Sequence, residues 1–265
     1  MDAKNRCAYV DLQDSQVHYR YAGDVGPVLV CFHQTPLSSR MYERALPELG
    51  ARLQVYAFDT PGYGGSTPPT GSPSVAGYAA QLLAAMDAIG LERAAVCGFA
   101  TGAAIAAEVT RQLSGRATHL VLSGTPLLNE SRLEMFAKRL GEPSLDAGGK
   151  HLLQVWESRV ENYGAGSDLD QVQMAVSETL RAYDRYHWGL RAVAAYDLAT
   201  TLRGLDVPTL FINAEHDKLA LENRDAASLV TDAQEIFMPQ AQPQVCWTDP
   251  KRFAEEVIKF VDPGG

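Results

Sequence analysis

The segment Gly98-Phe99-Ala100-Thr101-Gly102 closes a buried apolar run, Ala94–Cys97, and opens a helical pattern, Ala103–Leu113. Glycines at such a junction let strand and helix approach closely, and a helix beginning near Thr101 aims free N–H groups and a positive dipole end at the turn. The residue at the middle of this turn is Ala100, so no hydroxyl or thiol is presented there. Among the six histidines, His187 stands in Tyr183-Asp184-Arg185-Tyr186-His187-Trp188 and is a candidate general acid or base. The competing reading is that these aromatics simply pack. Cys7, Cys31, Cys97 and Cys246 form no CxxC and no metal-ligand pairing. They suit free thiols in a reducing cytoplasm, and no metal or other cofactor is expected.

The elements that must position these residues form an alternating series. Ala8–Leu12 and Gln16–Tyr21, separated by Asp14-Ser15, predict an N-terminal hairpin. Continuous apolar runs at Val28–Phe32, Leu53–Phe58, Ala94–Cys97, Leu120–Leu122 and Thr209–Ile212 read as strands buried on both faces of a parallel sheet. Helical patterns at Ser39–Leu49, Val75–Ile89, Ala103–Leu113 and Phe253–Val261 fall between or after them. This order predicts an α/β fold with a mostly parallel, doubly wound sheet. Pro126 to about Gly189 lacks any buried-strand run and shows amphipathic helix with breaks at Gly141-Glu142-Pro143 and Gly164-Ala165-Gly166. The expected organisation is therefore a core of residues 1–125 and 190–265, interrupted by a helical lid over 126–189.

Composition bounds the partners. Of 265 residues, 46% are hydrophobic and 21% charged, an ordinary globular balance. With 23 Lys and Arg against 32 Asp and Glu, the formal net charge is −9, which disfavours a phosphate backbone as partner. No apolar run is long enough for a bilayer span, and the Met1–Tyr9 segment lacks the apolar region of a signal peptide. A small-molecule partner is expected, with neither nucleic acid nor membrane. Composition leaves the oligomeric state open.

Three motifs at strand ends together resemble the α/β-hydrolase superfamily over nearly the whole chain. His33-Gln34-Thr35-Pro36 is similar to the family's His-Gly-x-Pro oxyanion loop, with Gln34 in place of Gly. Asp59-Thr60-Pro61-Gly62-Tyr63-Gly64-Gly65-Ser66 is similar to its Asp-x-Pro-Gly-x-Gly-x-Ser turn. Gly98–Gly102 stands in the place of its Gly-x-Ser-x-Gly nucleophile elbow. The resemblance implies an α/β-hydrolase fold and puts Asp217, in Asn213-Ala214-Glu215-His216-Asp217, at the triad acid. Counting back from Asp249-Pro250 and forward from Pro239 puts Pro243 in the slot of the triad His. It also implies that His33 stabilises its loop and that Thr35 and Thr101 flank the oxyanion site through N–H groups or hydroxyls. His216, preceding the acid, is expected to point away from it because strand-end neighbours alternate faces.

Ala100 cannot attack a carbonyl and Pro243 cannot accept a proton, so no acyl-enzyme is expected. A cofactor-free, non-hydrolytic enzyme is the leading expectation: lyase, cyclase or isomerase-type chemistry on a small, largely apolar molecule, using the oxyanion pocket. A second reading is a non-catalytic small-molecule binder. A third is an esterase or C–C hydrolase with its serine exchanged for Ala100, which leaves Pro243 unexplained. In each case the ligand would lie under the lid above Thr35, Ala100, Thr101 and Pro243, walled by Trp156, Tyr183, Tyr186 and Trp188.

Overall fold

The computed structural model describes residues 4–129, 143–164 and 168–264. Eight strands form one sheet: β1 (Arg6–Asp11), β2 (Gln16–Ala22), β3 (Val28–Phe32), β4 (Gln54–Phe58), β5 (Ala94–Phe99), β6 (Ala117–Ser123), β7 (Thr209–Ala214) and β8 (Ala233–Met238). Their order across the sheet is β1-β2-β4-β3-β5-β6-β7-β8. The N-terminal hairpin joins antiparallel through β2 to β4, and β4, β3, β5, β6, β7 and β8 run parallel.

The continuous apolar runs follow from burial on both faces. Along β3, Val30 and Phe32 enter one apolar cluster while Leu29 and Cys31 enter the other. The same period-two division separates Val96 from Ala95 and Cys97 on β5, and Phe211 from Leu210 and Ile212 on β7. Helices α2 (Val75–Ala88) and α3 (Thr101–Leu113) cover one face; the short α1 (Leu46–Leu49) and the C-terminal α10 (Pro250–Val261) cover the other. Pro250 starts α10, where its missing N–H costs nothing, and Phe253, Ala254, Val257 and Val261 form its buried stripe. Cys31, Cys97 and Cys246 are buried thiols and Cys7 is exposed. Burial pushes the Cys31 and Cys246 thiols well above their ordinary range.

Between β6 and β7 the described elements are all helical: α4 (Lys150–Tyr163), α5 (Leu169–Arg181), α6 (Trp188–Ala194) and α7 (Leu198–Arg203). The boundary expected at Gly189 falls inside α6, and helix continues almost to β7. The break expected at Gly141-Glu142 lies outside the described residues. Two expectations about individual elements need correction. Ser39–Leu49 is not one helix but a 3-10 turn, Ser39–Tyr42, followed by α1, because Ser38 caps the first turn and Pro47 restarts the chain. The apolar pattern does not predict strand β8. It is an edge strand, its Gln234, Glu235 and Phe237 are exposed, and so it lacks the apolar run of its neighbours.

Candidate functional site

Strand β5 ends in a backbone turn at Ala100, with φ 50° and ψ −117°, a region L-residues rarely adopt. The turn is held on both sides: Ala100 N–H donates to Ser123 O at 3.0 Å, and Ala100 O accepts from Ala103 N–H at 2.8 Å. Glycines make the geometry fit. A Cβ on Gly98 would fall 2.6 Å from Ala106 Cβ, and one on Gly102 would fall 2.6 Å from His33 O. The methyl of Ala100 is thus lifted where α3 begins, next to the loop that leaves β3.

That loop, His33–Pro36, is tied to the start of α3 by the two threonines. Thr35 N–H donates to Thr101 Oγ1 at 2.6 Å, and Thr35 Oγ1 donates to the same oxygen at 2.9 Å. The Thr35 amide, expected to face an oxyanion, is therefore already engaged inside the protein. His33 has both ring nitrogens on backbone: Nε2 accepts from Thr60 N–H at 2.8 Å, and Nδ1 donates to Gln34 O at 3.0 Å. Burial lowers its pKa, so the neutral ring with a proton on Nδ1 fits both bonds. This arrangement makes His33 a loop fastener rather than a proton carrier.

Asp217 follows β7. Its Oδ1 accepts from Leu219 N–H at 2.9 Å, and its Oδ2 lies where a Cβ on Gly124 would come within 2.9 Å. Burial raises its pKa, the Leu219 N–H bond offsets this in part, and the Glu222 charge adds to the rise. His216 is exposed, with its N–H on Ala241 O. A carboxyl whose folded pKa is raised is neutral-equivalent below the unfolded value and penalises folding above it, increasingly until the folded pKa is passed. Asp217→Asn, which keeps the oxygen for Leu219, should therefore raise Tm at pH 7 and change nothing near pH 3. Equal Tm shifts at both pH values in a denaturation series would contradict this.

Pro243 sits on a loop whose next residue carries the site's polar interior. Gln244 is fully buried and left-handed, at φ 61° and ψ 53°. Its Nε2 donates to Tyr163 OH at 2.9 Å and to Gln34 Oε1 at 3.2 Å, while its Oε1 accepts from Gln171 Nε2 at 3.1 Å. Gln171 Nε2 also reaches Pro243 O at 3.4 Å. Amides and a phenol thus join the β3 loop, the final loop and helices α4 and α5. None of these groups exchanges a proton near neutral pH, since burial also raises the Tyr163 phenol. Gln171, Gln244 and Tyr163 lie outside the residues singled out by motif or composition. The signal was available in Gln171 alone, a polar residue on the buried stripe of α5 beside Val172, Ala175 and Val176.

The expected aromatic wall is only partly assembled. Tyr183 stacks on Tyr186 with centroids 6.1 Å apart, and the buried His187 meets Tyr186 edge-on at 5.0 Å. Tyr183 OH donates to Ser144 O. Gly189 follows closely: its N–H donates to Tyr63 OH at 2.7 Å, and a Cβ there would lie 2.7 Å from Thr35 Cγ2. Trp156 packs with the cluster that holds Ala100 and Tyr163, whereas Trp188 packs with the cluster across the sheet. The two tryptophans therefore do not share one apolar cluster.

A groove of about 430 Å³ lies elsewhere, where the first residues of β6, β7 and β8 meet α10, lined by His119, Leu210, Ile236 and Phe260. It touches none of the candidate residues. Among the described residues no three His, Cys, Asp or Glu side chains gather as a metal site, and no helix is long and apolar enough to cross a membrane.

The family model described as alpha/beta hydrolase fold matches residues 27–250. A non-heme haloperoxidase of Rhodococcus erythropolis is 25% identical over 265 residues, covering 94% of this chain and 96% of that protein. The solved structure of a hydrolase from Pseudomonas aeruginosa PA01 superposes with a TM-score of 0.81 at 21% identity, covering 97% of this chain and 98% of the other. The enol-lactonase from Burkholderia xenovorans LB400 superposes with a TM-score of 0.77 at 18% identity, covering 96% and 99%.

Proposed function

This chain belongs to the α/β-hydrolase fold family, and on that premise we propose that it holds a small, largely apolar molecule above Ala100 without hydrolysing it. In this reading Ala100 stands at the nucleophile position, Asp217 at the acid position and Pro243 at the position of the base. The observation that carries it is the Thr35 N–H bond to Thr101 Oγ1, 2.6 Å long. A hydrolase needs that donor for the developing oxyanion. Here it is spent on the protein, next to a methyl in place of a nucleophile and an amide network in place of a base. Binding needs none of the three groups.

A second reading, a cofactor-free enzyme of the lyase, cyclase or isomerase type, has one observation in its favour. Thr35 Oγ1 and Thr101 Oγ1 are paired at 2.9 Å beside the turn, and a ligand oxygen that displaced one hydroxyl would meet the other. Mass spectrometry of the purified chain separates the readings. A single co-purifying molecule, returned unchanged after incubation, supports a binder; its conversion supports the enzyme. The Ala100→Phe variant tests the place. It should remain folded at a cost of about 1–3 kcal/mol and lose the ligand. Undiminished ligand binding in folded Ala100→Phe would put the site elsewhere.

A further inference from the structure

Helix α4 turns a half-buried stripe toward the core: His151, Val155, Trp156, Arg159 and Tyr163. They recur at i, i+4, i+5, i+8 and i+12, which places them on one face, with Arg159 one turn before Tyr163. At the inner end of the stripe, Tyr163 OH meets Gln244, the neighbour of Pro243. Arg159 stands on the same face, close enough for its charge to reach the Tyr163 phenol. Its Nε is shut off from water and has no hydrogen-bond partner, while the residue as a whole is only half-buried. Among the described residues it forms no ion pair. Glu157 and Glu161 of its own helix are on the exposed side. The ionisable groups whose fields reach Arg159 are the phenols of Tyr163 and Tyr186. A guanidinium with its Nε withdrawn from water and no carboxylate beside it among the described residues is costly, and such a group is favoured where something else supplies the negative charge.

We propose that Arg159 is an anion subsite, which takes the carboxylate end of an otherwise apolar ligand lying above Ala100. The inference rests on the small-molecule reading given above and adds the ligand's charge. A carboxylate fits better than a phosphate for two reasons. One guanidinium fork offers two parallel donors and one charge, which matches a monoanion. The chain's net charge of −9 also works against concentrating a dianion. The apolar remainder of the ligand would rest on Trp156 and the Ala100 methyl, which share one cluster.

Two probe pairs test this: hexanoate with hexanamide, and phenylacetate with phenylacetamide. They are titrated calorimetrically at pH 7.5 and fixed ionic strength into the full chain and into Arg159→Met, Arg159→Lys and Ala100→Phe. In the native chain at least one carboxylate should bind about tenfold tighter than its amide, the value of a charge-assisted pair. Arg159→Met should abolish that preference and, without ligand, raise Tm, because an uncompensated charge is gone. Arg159→Lys should keep part of the preference. Equal affinity for acid and amide, no carboxylate binding at all, or a preference that survives Arg159→Met each overturns the proposal. Acid and amide binding equally well, with both lost in Ala100→Phe, would leave the small-molecule site standing and remove only the anion subsite. A carboxylate preference that depends on Arg159 but survives Ala100→Phe would do the reverse.

Discussion

The Ala100→Ser/Pro243→His double variant should hydrolyse activated short-chain esters measurably, while Ala100→Ser alone should not. The single variant gains a hydroxyl at a turn already shaped for it, φ 50° and ψ −117°, but no base to take its proton. The second substitution supplies the base on the loop that follows Met238, while Asp217 stands ready at the end of β7. Turnover should still be slow, since Thr35 N–H is bound to Thr101 Oγ1. Removing that hydroxyl in the triple variant with Thr101→Ala frees the donor. One oxyanion donor is worth about 10²–10³ in kcat, so a gain of about tenfold or more is expected from the third change. Release of p-nitrophenol from p-nitrophenyl butyrate measures all three. Equal rates for the single and double variants would mean that position 243 does not face position 100. A triple variant no faster than the double would mean that the threonine bond is not what limits the rate.

The largest stability effect should come from a single methyl. Gly102→Ala places a Cβ 2.6 Å from His33 O and closer still to Phe32 O, both backbone atoms of the segment that ends β3. Neither can rotate away as a side chain would. Relief requires α3 to lift from β3, and α3 is buried along nearly its whole length. The loss should be about 4 kcal/mol or more, among the largest single-residue effects known, and the variant should accumulate as insoluble protein. Gly71→Ala makes a fair control, since a Cβ there meets nothing and the residue lies on an exposed loop. A Gly102→Ala protein with a urea midpoint near that of Gly71→Ala would show that this packing is looser than described.

The parallel half of the sheet was legible because burial on both faces leaves no room for polar residues. Val28–Phe32 and Thr209–Ala214 announce themselves for that reason. Edge strand β8 escaped because one of its flanks faces water, so Glu235 and Phe237 carry no pattern. The turn at Ala100 was readable from Gly98 and Gly102, whose missing side chains are a steric demand. The site's interior was not readable. Nothing in a one-dimensional pattern says that Gln34, Gln171 and Gln244, from three distant segments, will satisfy one another's amides. A lone polar residue on an apolar stripe is ambiguous between surface and network until its partners are located. Arg159 poses the same ambiguity, and it is the fold that brings out its buried Nε with no hydrogen-bond partner among the described residues.

The three buried thiols give the molecule an internal clock. Cys31 sits in β3, Cys97 in β5 and Cys246 in the short helix before α10, while Cys7 is exposed. An alkylating reagent needs both access and thiolate; burial withholds access from all three inner cysteines and thiolate from Cys31 and Cys246 as well. Modification of Cys7 therefore measures the reagent, and modification of the inner three measures the protein's own opening. Loosening of the final loop alone exposes Cys246, whereas Cys31 and Cys97, opposite each other on the adjacent strands β3 and β5, become available only when the sheet itself separates. The order in which adducts appear distinguishes breathing at the site from global unfolding, with no residue changed.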